Sequence, residues 1–150
     1  MAENLTISTL LFAIAGGFLP SLLWLWFWLK EDRHPEPRNA IIYTFIIGMV
    51  TVPIAIVLEY FVSIPAGLIG SLSLFAWAFI EEILKYGAVS ITVIRKKYFD
   101  EPIDAIVYMI TAALGFASLE NTLFIIKTFG DNGILSGMNI GNMRFLGATL

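Results

Sequence analysis

From Ile7 to Leu29 the chain runs for about 23 residues without one ionisable side chain. At 1.5 Å per residue a helix of that length rises about 34 Å, enough to cross a hydrocarbon core of about 30 Å. Lipid offers backbone groups no hydrogen bonds, so a run of this kind has to be helical. Similar stretches follow from Asn39 to Val62, Ser71 to Ile94 and Ala105 to Phe129, and the sequence turns apolar once more from Met143. Hydrophobic residues make up 58% of the chain and charged residues only 14%, against about 25% in soluble domains. The sequence therefore predicts an all-α, polytopic membrane protein, a single integral domain over residues 1–150 with four transmembrane helices and the start of a fifth. Pro53 is a predicted kink in the second span, and Glu59 lies near enough to that span's far end to reach the interface.

The charges are concentrated in the short connectors and in a motif within the third span. Lys30 to Arg38 is a polar, proline-broken segment following the aromatic run Trp24 to Trp28, which suits an interfacial belt. Ser63 to Gly70 is an uncharged turn, and Gly130 to Asn142 reads as a glycine-rich loop. Segments 30–38 and 95–104 hold three Lys or Arg each, whereas the N-terminus and the second connector hold none. By the positive-inside rule the N-terminus lies outside and loops 30–38 and 95–104 are cytoplasmic, which makes this a multi-pass protein of the cell membrane. Because Met1 to Asn4 carry no base and the first apolar run exceeds a signal h-region, the first helix is expected to be retained. With no cysteine, disulfides, thiolate ligands and cysteine nucleophiles are excluded. The partner implied is the lipid bilayer; nothing points to nucleic acid.

Within the third span stand Glu81, Glu82 and Lys85. Near mid-bilayer each ion costs roughly 2.5 to 3.5 kcal/mol, so three cost about 7 to 10, while eleven Leu, Ile, Phe and Val residues offset about 3 to 7. Such a helix needs partners. Lys85 lies four residues from Glu81 and three from Glu82, so one base can serve both acids. Paired carboxylates held in low dielectric suit general acid/base chemistry; the plain structural alternative is an ion pair that packs helices.

The fourth span adds Phe116, Glu120 and Asn121. Counted from the turn between the spans, Glu82 is twelve residues from Ile94, about 18 Å, and Glu120 fifteen from Ala105, about 22 Å. The acids are thus expected to converge at similar depth, with Phe116 one turn from Glu120 on the same face. Glu120 paired with Lys127 is the plainer alternative.

Four motifs are familiar as an ordered set: H-P-E-P-R at His34 to Arg38, E-E-I-L-K at Glu81 to Lys85, F-D-E-P-I-D-A-I-V-Y at Phe99 to Tyr108, and L-G-F-A-S-L-E-N at Leu114 to Asn121. In them the chain resembles the PrsW family of intramembrane proteases, a branch of the CAAX-protease and Abi superfamily. The resemblance implies a membrane peptidase acting on membrane-embedded substrates such as anti-sigma factors. It assigns Glu81, Glu82 and Glu120 to catalysis, with Asn121 beside the last; Lys85 and Phe116 are expected by their spacing to support these acids. The family's third motif, a histidine on a later helix, has no counterpart here; His34 sits in a polar connector. The chain is therefore expected to stop short of that motif and to be inactive alone. Hydrolysis would use glutamate with or without a divalent metal ion such as zinc, although three glutamates and no nearby histidine form an unusual zinc shell. The competing class is a non-enzymatic membrane carrier or an immunity or interaction protein, since intramembrane acids also mark ion paths.

Overall fold

The computed structural model describes residues 6–31, 34–66 and 71–132, together with Ser136, Asn139 and Met143. All regular structure among these residues is helical: α1 (Ile7–Glu31), α2 (Arg38–Ala66), α3 (Ser71–Thr92) and α4 (Pro102–Asn132). Three helices are long and apolar enough to cross a membrane, over Ile7–Glu31, Arg38–Val62 and Pro102–Gly130. The fourth, α3, has 22 residues, about 33 Å, but its apolar run is interrupted by Glu81, Glu82 and Lys85. The expected fifth helix beyond Met143 and most of the expected loop up to Asn142 lie outside the described residues. The first part of that loop is helical instead, since α4 continues through Gly130 to Asn132. At Pro53 α2 is not interrupted.

The α1 helix continues to Glu31, and α2 continues to Ala66, so the first part of the expected Ser63 to Gly70 turn is helical; at two further ends the local reason is visible. The α3 helix closes at Thr92, whose hydroxyl donates back to the Ala88 carbonyl at 2.8 Å, and the chain then turns through a Lys96 N–H to Val93 carbonyl bond of 2.8 Å. The α4 helix starts three residues early, at Pro102. Proline suits a first helical position because its missing N–H would be unsatisfied there anyway. Asp104, two residues on, accepts the backbone N–H groups of Glu101 at 2.8 Å and Asp100 at 2.9 Å through its Oδ2. This is the acidic half of a capping box, and it explains the spacing of the D-E-P-x-D turn.

Packing divides the chain into two compact units. In the unit spanning His34–Phe116, α2 and α4 touch through their main chains: a Cβ at Gly48 would overlap the Ala112 carbonyl oxygen, and one at Gly115 the Phe45 carbonyl oxygen. Small residues at reciprocal positions are how helices approach closely where no hydrophobic effect drives them together. Between α2 and α3 the buried Thr44 hydroxyl donates to Thr92 Oγ1 at 3.0 Å. In the other unit, which contains α1 and the end of α4, Ala13, Ile125 and Phe129 form a buried cluster with Phe12 set edge-on to Phe129 at 5.8 Å. Gly17 there lies against Ser118 and Thr122. Large apolar side chains such as Leu11, Trp26, Phe61 and Phe75 are exposed along the helices, as a lipid-facing surface requires.

Candidate active site

Lys85 is the centre of the charged cluster. Its ammonium lies 3.1 Å from Glu81 Oε2 and 2.8 Å from Glu82 Oε1, and 4.6 Å from the centroid of the Phe116 ring. The expected sharing of one base by two acids is therefore present, and the ring face supplies a third contact. Burial is uneven. The side chains of Lys85, Glu81 and Glu82 are 12%, 29% and 65% exposed, so the base is the enclosed member and Glu82 the open one. Phe116, only 3% exposed, is delivered by α4 at the residue after Gly115, where the bare glycine lets α4 rest on Phe45. Each carboxylate gives Lys85 one oxygen.

Glu120 and Asn121 belong to the other unit. Asn121 is buried and Glu120 half-buried, and both are engaged by neighbours. Lys127 is exposed. His34 is exposed, as a loop histidine should be, and its Nδ1 pairs with Glu101 Oε1 at 3.1 Å.

A second constellation went unrecognised in the sequence as a spatial group. Tyr108, fully buried, donates its hydroxyl to Glu36 Oε2 at 2.6 Å, with Tyr98 and Phe99 on it at 6.4 and 6.3 Å between ring centroids. With the His34–Glu101 pair, this clasps the H-P-E-P-R connector to the F-D-E-P-x-D turn around a cavity of about 380 Å³ that Asp100 and Asp104 also line. The signal was available: an acid between two prolines and a tyrosine four residues after a capping aspartate are both odd in plain loop and lipid-facing positions.

Residues 36–150 match the model of a family described as PrsW family intramembrane metalloprotease. The chain belongs to the PrsW family. It is 35% identical to Protease PrsW of Bacillus subtilis (strain 168) over 150 residues, covering 88% of this chain and 69% of that protein. Protease PrsW of Geobacillus kaustophilus (strain HTA426) is 32% identical over 117 residues, covering 75% of this chain and 52% of the relative. The chain thus spans between half and about two thirds of the length of these PrsW relatives. No solved structure matches it. The matched segment takes in Glu36, the acid pair, Lys85, Tyr108 and Phe116, and leaves out His34.

The family description implies a metal. Among the described residues of this PrsW chain no three His, Cys, Asp or Glu side chains are grouped to hold one. Glu81 and Glu82 already share the Lys85 ammonium, a cation in the position a metal would contest. The donor set described here does not fit a metal site.

Proposed function

We propose that the chain carries the glutamate site of an intramembrane peptidase that hydrolyses a peptide bond in a membrane-embedded protein. The observation that supports this most is the Lys85 cluster: two carboxylates on one ammonium, against an aromatic ring, on a helix otherwise apolar. A helix-packing ion pair would enclose both partners, yet Glu82 is 65% exposed. In the proposed reaction the free oxygen of Glu82 or Glu81 takes a proton from water. The resulting hydroxide attacks the substrate carbonyl, and the protonated acid returns its proton to the departing amine. Lys85 keeps the two acids in register. Glu120 is proposed as a further catalytic acid on the strength of the L-G-F-A-S-L-E-N motif alone, with Asn121 as a neutral donor and acceptor next to it in the chain.

The substrate class proposed is a membrane-embedded protein of the anti-sigma-factor kind. The proposed setting is the cell membrane, N-terminus outside, with connectors 30–38 and 95–104 in the cytoplasm. The test is hydrolysis of a fluorogenic transmembrane peptide by the full-length protein in proteoliposomes. Glu81→Gln, Glu82→Gln and Glu120→Gln should each lower the rate by about 10²-fold or more. Undiminished cleavage by Glu82→Gln would refute the assignment, and glutamate-dependent ion flux without cleavage would favour a carrier.

A further inference from the structure

The exposed face of α3 carries a feature that hydrolysis leaves unused. Beyond the acid pair, towards the end of the helix, Tyr86, Ser90, Ile91, Ile94 and Arg95 line an open groove of about 440 Å³. Its walls are apolar along most of their length: Tyr86 is 59% exposed, Ile91 73% and Ile94 38%. Ser90 directs its hydroxyl back to the Tyr86 carbonyl at 2.9 Å, so it presents little unmet polarity to an apolar occupant. At one end the groove becomes cationic. Arg95 lines it, and Lys96 and Lys97 follow, all three exposed. The chain leaves the helix at this point through the Val93 to Lys96 turn, the level at which a membrane helix meets the headgroups.

An apolar trough ending in fixed positive charge at a membrane edge matches one kind of molecule. We propose that this groove binds an anionic glycerophospholipid, its acyl chain lying along Tyr86, Ile91 and Ile94 and its phosphate held by Arg95 with Lys96 and Lys97 beside it. Arg95 suits the role because a planar guanidinium can present two N–H groups to one phosphate. Charge complementarity selects this occupant. A zwitterionic lipid offers the same chain but cancels the phosphate with its own cation, and an apolar helix from a substrate or a second copy would leave the three bases unanswered. The inference requires only that α3 lie in a bilayer with Arg95 at its edge, so it stands apart from the peptidase reading.

Native mass spectrometry of the purified full chain, released from nanodiscs of equimolar phosphatidylglycerol and phosphatidylcholine, tests it. The expected result is one retained phosphatidylglycerol per chain. With each base near the surface worth about fivefold in binding, Arg95→Gln should reduce retention about fivefold and the Arg95→Gln, Lys96→Gln, Lys97→Gln triple variant about 100-fold. Neutralising Lys30 and Arg38 in the other connector should leave it unchanged. Ile91→Trp, which fills the trough without altering charge, should displace the lipid while the protein still folds. Equal loss from the Lys30 and Arg38 variant would mean diffuse attraction and overturn the proposal, as would equal retention of phosphatidylcholine. Displacement by millimolar inorganic phosphate alone would show an anion site without a chain requirement, and a lipid-free dimer would show that a second copy takes the groove; either result overturns it.

Discussion

Replacing Phe116 by leucine should uncouple Lys85 from α4. The ammonium sits 4.6 Å from the ring centroid, well inside the roughly 6 Å range of a cation–π contact. With the Lys85 side chain 12% exposed and Phe116 at 3%, little water competes. The attraction should therefore lie near the upper end of the usual range, about 1 to 2 kcal/mol. A bare stability loss for Phe116→Leu would mix this with lost packing, so the informative quantity is the coupling in a double-mutant cycle with Lys85→Met. Reversible unfolding in bicelles, followed by tryptophan fluorescence, supplies the four free energies. The cycle should return a coupling of about 1 to 2 kcal/mol, and Phe116→Trp, which keeps a ring face, should preserve most of it in a second cycle. A coupling below about 0.3 kcal/mol would refute the argument, since it would mean that Lys85 is held by Glu81 and Glu82 alone.

Three further outcomes are expected. Gly115→Ala should destabilise the fold by about 1 to 3 kcal/mol, because its Cβ would overlap the Phe45 carbonyl oxygen, whereas Gly87→Ala, with nothing within 4 Å, should be neutral or stabilising; equal effects in thermal unfolding would contradict the close approach of α2 and α4. Tyr108→Phe should cost about 1.5 to 3 kcal/mol through loss of its bond to the Glu36 carboxylate, and an unchanged melting temperature would show that the clasp contributes nothing. For orientation, a cysteine replacing Lys97 should react with a membrane-impermeant maleimide only after cell lysis; labelling of intact cells would reverse the proposed topology.

Helices and charge pairs were legible because they depend on local periodicity. The absence of charge from Ile7 to Leu29 dictated α1 almost to its end, and the spacing of Glu81, Glu82 and Lys85 dictated their pairing. The i, i+4 spacing puts Phe116 on the face of Glu120, but its contact with Lys85 is not legible in the sequence, because helix periodicity says which face a residue occupies and not which helix that face meets. The clasp was hidden for the same reason: Glu36 and Tyr108 stand 72 residues apart. The α4 helix passes the expected stop at Gly130, because a helix can carry a glycine at a cost of about 1 kcal/mol.

The contacts of α4 within the His34–Phe116 unit tie these motifs to one another. Asp104 caps the helix, Tyr108 holds the connector acid, Ala112 receives Gly48, and Phe116 meets Lys85. These residues recur every four positions, so they form one stripe on one face, and none is more than 3% exposed. From cap to ring the stripe spans twelve residues, about 18 Å. The first three contacts along it are hydrogen bonds involving a carboxylate or an approach too close for a side chain, neither of which tolerates sliding, and the fourth sets a ring face on an ammonium. The polar turn and the charged cluster are thus joined by a stiff element with a set length, and inserting one residue between Tyr108 and Phe116 would rotate the ring by about 100° away from Lys85. What looks in the sequence like a set of separate short motifs is, in the folded chain, one ruler that fixes the aromatic ring against the ammonium shared by Glu81 and Glu82.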